Sequence, residues 1–457
     1  MKKLLLFLLI CVRFNSLLAQ DTDSLVIKNI YSEALSNNTA YKNMEYLCTK
    51  IGGRICGSPQ AAAAIEWSKQ IMQGMNLDTV YTQKIMVHHW VRGDKEYASM
   101  SSKVYGFKEV NVCALGESIG TPTDGIIAEV IEVGNFDQLK KLGKKQLTGK
   151  IVFFNREMAP KDYNTFEAYG GAVDQRVHGA AEAAKYGALA VIVRSLTLKD
   201  DYTTHTGIMR YDTNGTKIPA VAISTKDAEL LSEWLKNDYE LLFHLKTNSK
   251  MLPDVESYNV IGEIKGSEFP NEIITVGGHI DAWDNGQGAH DDGVGCMHSI
   301  EVLRILKELK MHPKHTIRVV IFMDEEVAQK GGKKYAAIVK EKKEKHLAAI
   351  ESDEGGFTPI GFTIDASADT VAKISKWKDL LLSYGIYLFH KGYGGVDIYY
   401  LKGLGFPLIG LMTDSQKYFD YQHSESDTFD NVNKREMQLG SAAITSLVYL
   451  IDKYGIK

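Results

Sequence analysis

In the second half of the chain, short apolar runs alternate with helical patterns, and each run stops at acids or a histidine. Ile273, Ile274 and Val276 read as a buried strand, with His279 and Asp281 of Gly278-His279-Ile280-Asp281 at its carboxyl end. The glycine-rich stretch Gly288-Ala289-His290-Asp291-Asp292-Gly293 follows. Cys296, Ile300, Leu303 and Leu306 then recur at helical spacing. Thr316 to Met323 predicts a second strand ending in Asp324-Glu325-Glu326, and Leu347 to Ile350 a third ending in Glu351-Ser352-Asp353-Glu354. Pro407 to Met412 predicts a fourth, leading through a loop to His423 and Asp427. The last helix spans about 434–454, with Met437, Ile444, Leu447 and Ile451 on its core face.

The first half is less regular. Residues 22–40 read as a helix. Ser58 is placed to cap another, with Pro59 at its first position and a strongly helical stretch from Ala61 to Met75. Arg54 reads as a substrate or a structural cation, the structural role being the better reading. Residues 80–116 read as strands, and His88 and His89, adjacent on one strand, point to opposite faces and chelate poorly together. From 120 to 250 the runs around Gly125, Gly149, Ala190 and Ile218 predict short strands, with one helix from Val177 to Tyr186. No metal-type constellation falls here, and the stretch reads as an inserted β-rich unit. His205 and Arg210 within it could reach a neighbouring active site, with solvated loops the slightly better reading.

A chain of 457 residues predicts two domains, or one with a large insertion. The formal charge of −4, without a basic patch, argues against nucleic acid as a partner. Lys2 and Lys3 precede an apolar run from Leu4 to Val12, and Ala19-Gln20 follows, which predicts a secretory signal over residues 1–20 and a secreted or periplasmic protein. No later segment is apolar enough for a membrane span. Cys48, Cys56, Cys113 and Cys296 remain after its removal. Cys48 and Cys56 are candidates for a disulfide, although packed small residues is the better reading, and no usual zinc-type cysteine array is formed.

The acids decide the chemistry. Asp281, Asp291, Asp292, Asp324, Glu325, Glu326, Asp353 and Glu354 all fall at or just beyond predicted strand ends. Converging on one sheet edge, they would repel one another and resist ionisation, and two dications would offset that charge. Carboxylate and imidazole ligands without thiolate fit zinc, with manganese or cobalt as substitutes.

The His279-x-Asp281 pair, the Asp291-Asp292-Gly293 turn, Glu325-Glu326, Asp353 and His423-x-x-x-Asp427 together resemble the co-catalytic dizinc exopeptidase family. The resemblance covers essentially the whole chain beyond the signal. It implies an α/β fold with a mixed, mostly parallel central sheet flanked by helices. Residues 21–119 and 251–457 would form the catalytic domain. The 120–250 insertion resembles a protease-associated domain, notably in Gly187-Ala-Leu-Ala-Val-Ile-Val and Ile218-Pro-Ala-Val-Ala-Ile-Ser. It implies two Zn2+ per chain: His279 and Asp353 on one, Glu326 and His423 on the other, and Asp291 bridging. Asp281 would hold His279 by a hydrogen bond, and Glu325 would be general base and then acid. The substrate implied is a dipeptide or short peptide, and relatives suggest a homodimer. One departure stands out: where some relatives carry a tyrosine before the final histidine, this chain has Gln422, with Tyr421 one earlier. Gly394 to Asp397 reads equally as pocket lining or as a loop with a buried Asp397. An aminopeptidase on longer peptides, an amidohydrolase and an inactive binding protein are the competing readings; the last is disfavoured because every ligand and Glu325 are present.

Overall fold

The computed structural model describes residues 22–456, so the expected signal segment lies outside the described residues. The catalytic sheet has eight strands in the order Thr79–Val91, Lys250–Ile264, His315–Phe322, Phe269–His279, Lys345–Glu351, Leu408–Thr413, Pro359–Asp365, Leu388–Lys391. At its centre, strand Phe269–His279 runs parallel to both neighbours, with His279 opposite Phe322 and Gly277 opposite Glu351. This register brings the ends carrying His279, Asp324 and Asp353 to one level. Lys345–Glu351 is also parallel to Leu408–Thr413, whereas the Thr79–Val91 and Lys250–Ile264 side is antiparallel. The architecture is a mixed α/β sheet with helices against it.

Helix Val294–Glu308 follows the Asp291-Asp292 turn and is buried from Val294 to Leu306, its polar His298, Glu301 and Arg304 being held by hydrogen bonds. It packs against Lys434–Tyr454, whose Met437, Ile444, Leu447 and Ile451 are fully buried as expected. Asn433 starts that helix by accepting from Arg435 N and Glu436 N. Ser58 Oγ likewise accepts from Ala61 N at 3.0 Å, with Pro59 next in line. The helix expected over 22–40 is two: it breaks after residue 36 and restarts at Thr39, whose N–H donates to Asn37 Oδ1. Cys48, Cys56, Cys113 and Cys296 are buried and unpaired.

A second eight-stranded sheet runs Gly106–Glu109, Tyr97–Ser102, Leu242–Lys246, Ile126–Val133, Ile151–Phe154, Ala190–Arg194, Ala220–Ile223, Val112–Ala114. The sequence pattern places the start of this unit at residue 120, and the sheet takes in strands from Tyr97 onward. Alternating residues such as Ala98 and Met100 bury into the core of this unit and not into the catalytic one. Helices Phe136–Leu147, Val173–Ala184 and Thr225–Leu235 pack on it, so it is an α/β unit of its own. Its loops reach the catalytic half through Thr206 N to His423 O (2.9 Å), His205 Nδ1 to Gln422 O (2.7 Å), and the Arg210 guanidinium to Val327 O. His205 is therefore buried at this contact and not solvated, and burial pushes its imidazole down to about 4.

Candidate metal centre

His279 closes its strand with a fully buried imidazole. Its Nε2 stands 3.3 Å from Asp291 Oδ1 and 3.4 Å from Asp353 Oδ1. On the other side, His423 Nε2 stands 3.2 Å from Asp291 Oδ2 and 3.0 Å from Glu326 Oε2. One carboxylate, Asp291, thus turns one oxygen to each imidazole. Glu325 reaches the His279 side, with Oε2 3.9 Å from Nε2. All five residues expected as ligands, and the expected base, lie around one point at the sheet edge.

The buried atoms Nε2 of His279, Oδ2 of Asp291, Oε1 of Glu326 and Oδ1 of Asp353 have no hydrogen-bond partner. An unsatisfied buried polar atom costs about 1–3 kcal/mol, more when charged. Four of them converging from the expected ligands fit cations held between them. The acids are crowded as well. Burial, and then the neighbouring acids, push Glu351 up to about 8 and Asp324 up to about 7. Burial and then Asp353 and Glu326 raise Glu325 well above the carboxylate range, against the pull of His279. Burial opposes charge on the two histidines. The carboxylates around them outweigh it and raise both, Asp353 and Asp291 acting on His279 and Glu326 and Asp291 on His423. A site this negative captures positive charge, as protons or as dications.

Asp292 also lies within reach of His279 and Asp353. Its oxygens are already committed: Oδ2 accepts from His279 N (3.1 Å) and Oδ1 from Gly295 N (2.9 Å). It anchors the turn into helix Val294–Glu308, and Asp291 is the better-placed donor. The peptide joining the two is cis.

Asp281 departs from its expected hydrogen bond. His279 Nδ1 meets the backbone carbonyl of Asp281 at 3.0 Å, while the carboxylate is 3.9 Å away. The carboxylate instead accepts from the N–H groups of Asp324 (2.7 Å), Glu325 (3.2 Å) and Glu326 (3.3 Å). Asp281 therefore fixes the loop that carries Glu325 and Glu326 as well as the tautomer of His279. Asp427 does the same for the opposite loop, accepting from His290 N (2.7 Å) and Asp291 N (3.2 Å). Arg54 is the structural cation expected, donating to the carbonyls of Ile280, Gln287 and Gly288.

Trp283 also belongs to the site. Its indole Nε1 donates to Glu326 Oε2 at 2.6 Å, and its ring stands edge-on to His423 with centroids 5.8 Å apart. A Cβ on Gly116 would lie 1.9 Å from its ring, so glycine is required there.

The site opens into a cleft of about 440 Å3. The catalytic half contributes Gly394, Gly395, Val396, Tyr393 and Tyr418, and the second unit contributes Phe166, Tyr169, Ile208, Arg176 and Arg210. Asp397 is buried behind the glycine loop, so both readings of that segment hold at different residues. Gln422 lines the cleft, whereas Tyr421 stacks on His290 with centroids 5.2 Å apart. Arg176 lies outside the helix that the sequence predicts from Val177, and Tyr169 lies in a separate helix, Thr165–Gly170, that the pattern does not predict. The helix of Arg176 begins at Val173, with Gln175 and Arg176 on its buried side, and two polar residues leading into an apolar helical run were the available signal.

Residues 259–448 match peptidase family M28. Carboxypeptidase Q of Bos taurus is 33% identical over 428 residues, covering 94% of this chain and 88% of that protein. The chain belongs to peptidase family M28. Carboxypeptidase Q of Homo sapiens, 33% identical over 422 residues, covers 92% of this M28 chain and 86% of its own length. The crystal structure of a peptidase M28 precursor from Shewanella amazonensis SB2B aligns with a TM-score of 0.91 at 32% identity, over 96% of this chain and 99% of that one. BSAP, a zinc aminopeptidase from Bacillus subtilis, shares the fold with a TM-score of 0.65 at 21% identity, over 90% of this chain and 94% of that one. The protein is accordingly a metallopeptidase, and no described helix is long and apolar enough to cross a membrane.

Proposed function

We propose that this M28 peptidase is a two-zinc exopeptidase acting on dipeptides or short peptides outside the cytoplasm. The observation that carries the reading is the Asp291 carboxylate set between two buried imidazoles, with unpartnered atoms on four of the five expected ligands. His279 and Asp353 would hold one ion, Glu326 and His423 the other, and Asp291 both. Bound zinc supplies Lewis acidity at the scissile carbonyl and lowers the pKa of a bound water toward neutrality. Asp281 presents Glu325 toward the cleft by binding its backbone N–H. Glu325 takes the proton of the attacking water and returns one to the leaving amine. The second unit, read as a protease-associated domain, supplies one wall of the cleft through Phe166, Tyr169 and Ile208. The charged, apolar and small-residue order at the N-terminus supports export.

The test is a panel of free, N-blocked and C-amidated dipeptides offered to zinc-loaded protein. Free dipeptides are expected to be cleaved, and equal turnover of the N-blocked set would reject both an aminopeptidase and a strict dipeptidase.

Trp283→Phe keeps an aromatic side chain, though a smaller one, and removes the donor to Glu326. By analogy with hydrogen bonds that orient metal ligands elsewhere, one of the two zinc affinities is expected to fall roughly 10- to 100-fold while the other stays unchanged. A calorimetric zinc titration of the chelated protein reads both.

A further inference from the structure

A net charge of −4 hides a concentration of the opposite sign. From Lys330 to Lys345 the chain carries seven lysines against two glutamates. Most of the segment is helix Lys330–Lys342, which buries Tyr335, Ala336 and Val339 in a cluster with Phe322, Ile398 and Leu401. With its apolar residues spent on that face, the helix turns its lysines outward together. Lys333, Lys334, Lys340, Lys342, Lys343 and Lys345 are all exposed, and none forms an ion pair among the described residues. Lys330, next to Gln329 of the cleft, has Asp254 at 3.6 Å. Glu344 turns inward, its Oε2 2.6 Å from Arg318 Nη1, which leaves Glu341 as the exposed acid of the segment. The sequence expectation of a chain without a basic patch does not hold on this face.

Like charges three and four residues apart on a helix repel, so an anionic partner laid along this face relieves it. The helix has 13 residues, a length of about 20 Å, which suits an extended anionic surface better than one small anion. Tyrosines continue the surface. Lys333 Nζ stands 5.5 Å from the centre of the Tyr400 ring, Tyr400 meets Tyr399 edge-on at 5.8 Å, and Tyr399 lies 6.0 Å from Tyr393. Tyr399 is 46% exposed and Tyr393 53%. Amphipathic rings beside long flexible amines are the side chains that settle at the headgroup level of a bilayer. The rings favour a bilayer over a soluble polyanion, which the amines alone would hold.

We propose that the outer face of helix Lys330–Lys342, continued by Tyr399 and Tyr393, docks the protein on anionic phospholipid membranes. Basic clusters of about four to eight residues on an amphipathic helix bind such surfaces without any inserted span. Gln329 and Tyr393 border the cleft, so docking sets the cleft mouth beside the headgroups. Cleavage of a soluble dipeptide does not require this surface.

The experiment is co-sedimentation of the zinc-loaded protein with vesicles of phosphatidylglycerol and phosphatidylcholine in equal parts, and with phosphatidylcholine alone. The wild type is expected to pellet with the first at low salt and to stay in solution with the second. It is released in about 1 M salt, where the reach of a charge falls to about 3 Å. Lys333→Gln, Lys334→Gln and Lys340→Gln combined are expected to weaken vesicle binding roughly a hundredfold, about fivefold for each lysine near the surface, with dipeptide turnover in solution unchanged. Lys140→Gln, Lys141→Gln and Lys144→Gln combined, on the exposed side of helix Phe136–Leu147 in the second unit, are expected to leave binding as it was. Tyr399→Ser weakens vesicle binding severalfold and leaves retention on heparin unchanged. A wild type that ignores anionic vesicles, equal binding to both lipids, or an equal loss from the two triple variants overturns the assignment. Retention on heparin without vesicle binding also overturns it, and makes the face a site for a soluble polyanion.

Discussion

Glu325→Gln is expected to leave zinc content near normal and lower kcat by about 10²- to 10⁴-fold, the usual contribution of a positioned acid–base group. The substitution preserves volume and the backbone N–H bond to Asp281, so the loop keeps its anchor. What it removes is the ability to take up a proton and release it. Glu325 is the acid best placed for that work. Its Oε2 is 3.9 Å from His279 Nε2, the residue borders the cleft, and it is not among the five expected ligands. Glu326, one residue on, is tied down by Trp283 and faces His423. Adjacent glutamates therefore split the work by where each side chain points. Steady-state kinetics beside elemental analysis decides the matter: retained turnover with normal zinc would exclude Glu325 as the base, and loss of zinc would make it a ligand instead.

The parallel core was legible because its strands are short apolar runs that end abruptly in chemistry. Ile273 to Val276, Ile317 to Phe322 and Leu347 to Ile350 each stop within a few residues of an acid or histidine, and parallel pairing brings those stops into line. What pattern could not supply was side-chain direction. Asp281 was expected to reach His279, but its carboxylate turns away to bind three backbone N–H groups of the next strand's loop. That partner lies more than forty residues along the chain, so no local spacing announces it. The same holds for Trp283, whose indole meets Glu326 across that distance. Arg176 carried only a faint signal, for another reason. It belongs to the second unit, and its significance depends on how the loop around Thr206 folds over His423. Nothing in the run Tyr97–Ser102 itself says which sheet it joins, and only its pairing with Leu242–Lys246 puts it in the second sheet, ahead of the boundary expected at 120.

Asp291→Ala is expected to abolish tight binding of both zinc ions and to reduce turnover by more than a thousandfold, since one change removes a donor from each half of the centre. Its effect on stability should depend on the metal. In the zinc-loaded wild type each site adds about 2.7 kcal/mol when free zinc is a hundred times its dissociation constant, and the variant loses that linkage. In chelator that linkage is gone and two opposing effects remain. Asp353, Glu325 and Glu326 surround the same point, and Asp291 is one of the charges that raises each of them. Removing it relieves repulsion even as it deprives His279 and His423 of a partner, so the metal-free forms should melt close together. Thermal melts of wild type and variant, with zinc and with chelator, check both halves. A variant that still rises in Tm with zinc as the wild type does, or that binds two ions by elemental analysis, would show that Asp291 does not join the two halves of the site.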